Sequence, residues 1–192
     1  MQNFKQIHIF SLWLIASLAL FSCSKDDDEN ETPDTTVNIE DGRIAFEVSG
    51  FENASMEGDV VYHLNNQYNI KYLNISLDDA IIYNDKIWRI SFEQNSNNTI
   101  SLPEPGEYPI IQGLANTYDQ NSFNATISMF TDTMTDTGTH FGGNNGAVNG
   151  TLTIVSNTDN IIKGTFSFEA YTADGEKITV TNGQFAAPKY TW

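Results

Sequence analysis

Val148-Asn149-Gly150-Thr151-Leu152-Thr153-Ile154 and Gly164-Thr165-Phe166-Ser167-Phe168-Glu169-Ala170 are the two stretches that decide how this chain folds. In each, apolar residues recur at every second position, with Thr, Ser, Glu or Asn between them. Successive side chains of a strand point to opposite faces, so a period of two marks a half-buried β-strand. Between the two runs lies Asn157 to Asn160, a short polar break that suits a chain reversal. Two alternating runs joined by such a break form an antiparallel hairpin.

The same period extends outward in both directions. Downstream, Ile178 and Val180 continue it; upstream it recurs at Ile44, Phe46 and Val48, at Leu73, Ile75 and Leu77, and at Trp88, Ile90 and Phe92. Phe123, Ala125, Ile127 and Met129 complete the series. Asn84-Asp85, Asn95 to Asn98 and Ala173 to Gly175 punctuate these runs. Asp174-Gly175 is the sharpest hairpin signal, because Gly accepts the positive φ of tight turns. Leu77 to Tyr83 and Gly113 to Tyr118 each have room for one helical turn, and no 3.6-residue period extends further after residue 22. The expected fold is all-β, an antiparallel β-sandwich or small barrel of about 8–10 strands. Residues 42–192 form it as a single all-β domain, since no second break in composition interrupts them and 151 residues match the common domain size.

The first 41 residues have a different character. Lys5 and the amino terminus are followed by a largely apolar run of 15 residues from Ile7 to Phe21, the pattern of a cleaved export signal over residues 1–22. That run is shorter than the ~20 residues a spanning helix needs. Cys23, the chain's single cysteine, follows at once, and residues 23–41 then form an acidic flexible tether. Residues 24–41 carry eight acidic side chains against Lys25 and few bulky apolar ones, too few to bury a core. As a flexible coil they span roughly 23 Å.

Leu20-Phe21-Ser22-Cys23 resembles the lipobox of bacterial lipoproteins, with Leu at minus three and a small residue at minus one. The resemblance implies diacylglycerol on the Cys23 thiol, cleavage before it and acylation of the new amino terminus. One acyl chain binds a membrane reversibly, whereas two or more anchor it stably. Ser24-Lys25-Asp26-Asp27-Asp28 is similar to the surface-export signal of Bacteroidota lipoproteins. That similarity implies an outer-membrane, lipid-anchored protein exposed on the cell surface; the alternative is a solvated spacer on a periplasm-facing protein. Asp34-Thr35-Thr36 and Asp132-Thr133-Met134 resemble the Bacteroidota O-glycosylation acceptor, with Thr35 in the tether the better candidate.

The carboxy-terminal half carries a further resemblance. Gly150-Thr151-Leu152-Thr153-Ile154, Gly164-Thr165-Phe166-Ser167-Phe168, Val180-Thr181-Asn182-Gly183-Gln184-Phe185 and the upstream Pro105-Gly106-Glu107-Tyr108 are similar to motifs of an uncharacterised family of Bacteroidota lipoprotein domains. Over roughly residues 100 to 187 the resemblance implies an all-β surface domain and brings no activity with it.

Charge narrows the partners. The whole chain has a formal charge of −16, and loss of Lys5 with the signal takes it to −17. Nucleic acid and anionic lipid surfaces require clustered Lys and Arg, which are absent. The membrane is met only through the lipid anchor; a glycan or protein is the expected ligand, and the oligomeric state stays open.

Catalytic chemistry has little to rest on. Only His63 and His140 remain after signal removal, neither lies in a nucleophile motif, and no Gly-x-Ser-x-Gly occurs. Zinc ligand spacing is absent, so no metal and no cofactor is expected. Thr131 to Thr137 holds two acids four apart, Asp132 and Asp136, without the glycine and distal Glu of an EF-hand. Glu47, Glu93, Glu104, Glu107 and Glu169 are candidates for a hydrolytic carboxylate pair, and nothing in the sequence singles out two of them. Residues 131 to 146, polar and glycine-rich, read first as an ordinary long hairpin and second as a loop carrying a candidate binding site at Asp132, Asp136, His140 and Phe141, with Phe141 placed to stack on a sugar or cover a pocket mouth. The leading expectation is therefore a surface-displayed, non-enzymatic binding domain. Its alternatives are a lipocalin-like barrel with a small apolar ligand among Phe46, Trp88, Phe92, Phe166 and Phe168, and a carboxylate-dependent glycan hydrolase.

Overall fold

The alternation is realised strand by strand. The structure, a computed structural model, describes residues 36–67, 71–113, 119–131 and 138–191. Its strands are β1 (Arg43–Gly50), β2 (Ala54–Asn65), β3 (Lys71–Leu77), β4 (Ile81–Tyr83), β5 (Lys86–Ser96), β6 (Gly106–Ile111), β7 (Asn124–Phe130), β8 (Gly138–Gly142), β9 (Val148–Thr158), β10 (Ile161–Tyr171) and β11 (Lys177–Pro188). They form one curled antiparallel sheet, a half-barrel, in the order β6-β9-β10-β11-β1-β2-β3-β5-β7-β8, with β4 beside β5 off that path. The all-β expectation holds, and of sandwich or barrel the curled sheet is nearer the barrel.

One end of the strand order, β6, approaches the residue that leads into β7, Phe123. Its N–H donates to Pro109 O at 3.0 Å, and Ile111 N–H donates to Phe123 O at 2.9 Å. Pro109 has no N–H to give, which fits β6 to an edge of the sheet. The tightest reversals are Asn84-Asp85 and Asp159-Asn160. Both residues of each pair have positive φ, between 50° and 61°. Each is a two-residue turn closed by a directly opposed pair, Tyr83 with Lys86 and Thr158 with Ile161. Asn and Asp tolerate this region better than other non-glycine residues. Asp174-Gly175 instead sits in a longer loop, where Gly175 N–H donates to Thr172 O at 3.1 Å. Leu77 to Tyr83 holds the end of β3, a bend and β4, so the expected helical turn is a strand. Of Gly113 to Tyr118, residues 114–118 lie outside the described residues.

Inside the curl the rings touch one another. Phe92 stands 4.8 Å from Phe166, 6.0 Å from Phe168 and 6.4 Å from Phe185, and Phe46 stands 6.0 Å from Phe166. Two of these rings lie over glycines on the neighbouring strand: Phe185 opposes Gly164, and Phe166 opposes Gly183. A Cβ at Gly164 would come within 2.8 Å of the Phe185 ring, and one at Gly183 within 2.4 Å of the Phe166 ring. Glycine inside a strand often marks such a close approach. Trp88 is fully buried, and its Nε1–H finds no acceptor among the described residues.

Toward the end of β5 the inward side turns polar. Gln94 Nε2 donates to Gln120 O at 2.9 Å, and Ser96 Oγ accepts from Gln120 Nε2 at 3.0 Å. Beside them Asn66 closes a two-way bond with the backbone of Ile100, 2.9 Å in each direction. These bonds satisfy the buried polar groups, which would otherwise cost about 1–3 kcal/mol each.

Tyr62 packs in the core, and burial pushes its phenol above the ordinary value of 10.0. The folded state therefore holds this proton more tightly than the unfolded one. The associated stability is fully present below the unfolded value and is lost as pH rises through the folded value. We expect urea-unfolding stability to fall above about pH 10, and to fall less steeply in Tyr62→Phe. An equally steep fall in the variant would remove Tyr62 as the cause.

Candidate functional site

The outward side of β2, β3, β5, β7 and β8 follows from the same alternation that fills the core. Strand register lines up its residues in rows. His63 opposes Asn74, Asn74 opposes Glu93, and Glu93 opposes Asn124. One step along, Ser76 opposes Ser91, which opposes Thr126. A step further, Arg89 opposes Ser128, which opposes His140. Rows on one face lie about 7 Å apart along a strand, and neighbours within a row about 4.8 Å apart. The result is a grid of hydroxyls, amides, one carboxylate and one guanidinium.

Two depressions are cut into this grid, one of about 440 Å³ and one of about 350 Å³. The first is lined by His63, Tyr72, Asn74, Ser76 and Glu93. Ser76 also lines the second, together with Arg89, Ser91, Thr126, Ser128 and Phe130 among others, so the two adjoin. Aromatic side chains bound the pair. At one end the His63 and Tyr190 rings lie 4.5 Å apart with 38° between their planes. At the other, Phe130 meets His140 edge-on at 5.4 Å.

Local bonds hold several of these groups in place. Ser128 Oγ lies 2.9 Å from His140 Nδ1, in a hydrogen bond that spans β7 and β8. Asn95 Nδ2 donates to Glu93 Oε1 at 2.7 Å and orients that carboxylate. Asn124 Oδ1 accepts from Gly113 N–H at 3.2 Å. Rigid strands, and not a mobile loop, thus carry the polar groups.

The expected binding loop changes character. Residues 138–142 of it are strand β8, where His140 faces outward and Phe141 inward, and 143–146 form the turn that follows. Phe141 is fully buried and packs edge-on against Phe51 at 5.2 Å, so it has no face to offer a sugar. The correction follows from the pleat: Phe141 opposes Ile127, a core residue, and must share its side. Asp132 and Asp136 lie outside the described residues, as do Cys23, Ser24, Lys25, Asp26, Asp27, Asp28 and Thr35.

The carboxylate candidates do not form a pair by register. Glu47 accepts from Asn182 Nδ2 at 3.0 Å, and Glu169 accepts from Lys177 Nζ at 2.8 Å. That lysine, through its hydrogen bond and then its charge, holds the Glu169 carboxyl below its ordinary value. No two of Glu47, Glu93, Glu107 and Glu169 oppose each other across a strand pair. Among the described residues, no three His, Cys, Asp or Glu side chains gather as metal ligands.

Reading the sequence alone missed Asn74, Ser76, Arg89, Ser91 and Thr126. Each was visible there only as the polar member of an alternating pair. No family model matches the chain, and neither curated proteins nor solved structures provide a match.

Proposed function

We propose that this chain is a lipid-anchored, surface-displayed, non-enzymatic binding domain whose ligand is a glycan held on the outward face of β2, β3, β5, β7 and β8. The observation that carries the reading is the polar grid bounded by His63, Tyr72 and Tyr190 at one end and Phe130 at the other. A sugar presents hydroxyls around its rim and C–H groups on its ring faces. Closely spaced Ser, Thr, Asn and Glu side chains suit the first, and aromatic faces suit the second. The two adjoining depressions have room for a short run of sugar units.

The anchor is part of the same reading. Cys23 after Leu20-Phe21-Ser22 supports acylation, and Ser24-Lys25-Asp26-Asp27-Asp28 supports display on the outer face of the outer membrane. Mutual packing of Phe46, Phe92, Phe166, Phe168 and Phe185 supports an external ligand face over an internal lipocalin-like pocket. The separate hydrogen-bonded settings of Glu47, Glu93 and Glu169 support binding over hydrolysis.

The test is a screen of the full chain, purified in detergent, against polysaccharides and glycoproteins. Binding to at least one glycan is expected, and His63→Ala or Tyr72→Ala should weaken it by up to about tenfold through loss of an aromatic contact. Absence of binding across the panel, or binding untouched by both substitutions, would overturn the proposal.

A further inference from the structure

Arg89 differs from four other cations of this acidic chain. Arg43 holds Glu57 and Asp59, Lys86 holds Glu52, Lys163 holds Asp41, and Lys177 holds Glu169. Arg89 makes no ion pair among the described residues. Its guanidinium carbon instead lies 5.5 Å from the centroid of the Phe130 ring. A guanidinium over an aromatic face is attracted by the ring and keeps its N–H edges available.

The surroundings give that fork a purpose. Arg89, Ser91, Thr126 and Ser128 line the same depression, which Asp78 also lines without coming within ion-pair distance of Arg89. Arg89 projects from the first half of β5, opposite Ser128, whose hydroxyl is engaged by His140. A cation resting on a ring among hydroxyls, in a chain of formal charge −16, complements a single anionic group. A guanidinium fork matches a planar carboxylate with two parallel hydrogen bonds. The chain's overall negative charge disfavours a densely charged polyanion, but at physiological salt a contact pair acts inside the ~8 Å screening length.

We infer that the depression around Arg89 is a subsite for a sugar carboxylate, so that the preferred ligand is a glycan with isolated acidic sugars in an otherwise neutral chain. This inference rests on the glycan-binding reading above and names the ligand class of that site. His63 and Tyr72 serve the neutral sugars at the other end of the face. Arg89 reads the acid.

The experiment compares one oligosaccharide bearing a single uronic acid with its carboxyl-reduced form, in which the carboxylate is a primary alcohol. Full chain in detergent should bind the acidic form up to about fivefold more tightly, the range of an exposed ion pair. Arg89→Gln should abolish that preference, so that the acidic and the reduced form bind alike. Arg89→Lys should keep part of it, as a point charge without the fork. Thermal melts of both variants matching the wild type would exclude a folding defect. Equal wild-type affinity for the two forms, or a preference that survives in Arg89→Gln, would overturn the Arg89 subsite and leave the glycan reading standing. Failure of both forms to bind, with failure of every other glycan, would overturn the two together.

Discussion

Phe92→Ala is expected to lower the stability of the domain by about 3–5 kcal/mol, the largest effect of any single substitution proposed for this chain. Phe92 is fully buried, and its ring meets those of Phe166, Phe168 and Phe185. Truncation removes the transfer energy of the ring and leaves a void among neighbours anchored on three different strand positions, which limits collapse into it. Domains of this kind are held by only about 5–15 kcal/mol in total, so the variant approaches the threshold of folding. For a domain of this size the loss corresponds to a fall in melting temperature of roughly 6–20 °C. Urea unfolding followed by the fluorescence of Trp88 measures it. A loss below about 1 kcal/mol would mean that the interior is loosely filled, and would revive the lipocalin-like alternative.

Gly164→Ala is expected to destabilise by about 1–3 kcal/mol, although it adds one methyl to a strand that ordinarily prefers alanine over glycine. The methyl would stand 2.4 Å from the Thr153 carbonyl oxygen and 2.8 Å from two atoms of the Phe185 ring. The ring has some freedom to retreat, but the carbonyl belongs to the paired backbone of β9 and has little. Combining Gly164→Ala with Phe185→Leu should recover part of the cost of the first change, a coupling that a double-mutant cycle reads directly. Ser167→Ala, on the outward side of the same strand, should move stability by less than about 0.5 kcal/mol. Equal effects of Gly164→Ala and Ser167→Ala would refute the close-approach account.

Hydrophobic period made the long strands legible, because Ile44, Leu73, Trp88, Ile127, Leu152 and Phe166 each sit in runs where burial alone sets the alternation. Short strands escaped for a different reason. β4 has only three residues, β6 contains Pro109, and β8 is bordered by glycines, so none shows a full period. Phe141 was misread as a loop residue because its strand partner Ile127 is reached only through the fold. The candidate face was hidden for a related reason. His63, Asn74, Glu93 and Asn124 come from four strands and become neighbours through register, which no local pattern encodes. Arg89 could be seen as an outward residue, but that, unlike Arg43, it makes no ion pair among the described residues is a three-dimensional fact.

The place of β1 between β11 and β2 has a consequence in time. Asn38 N–H reaches Gln184 Oε1 at 3.0 Å across 146 residues of chain, and Ile44 opposes Phe185. During synthesis β1 lacks one of its neighbours until β11 has emerged, a delay of roughly seven to thirty seconds at common elongation rates. Pairings so distant in sequence also form slowly. An incomplete chain therefore stays open, without the closing strand that would lock it. Were the chain exported unfolded, as the proposed lipoprotein route would require, β1 would lack its second neighbour until β11 had been made, and the chain would be easier to thread up to that point.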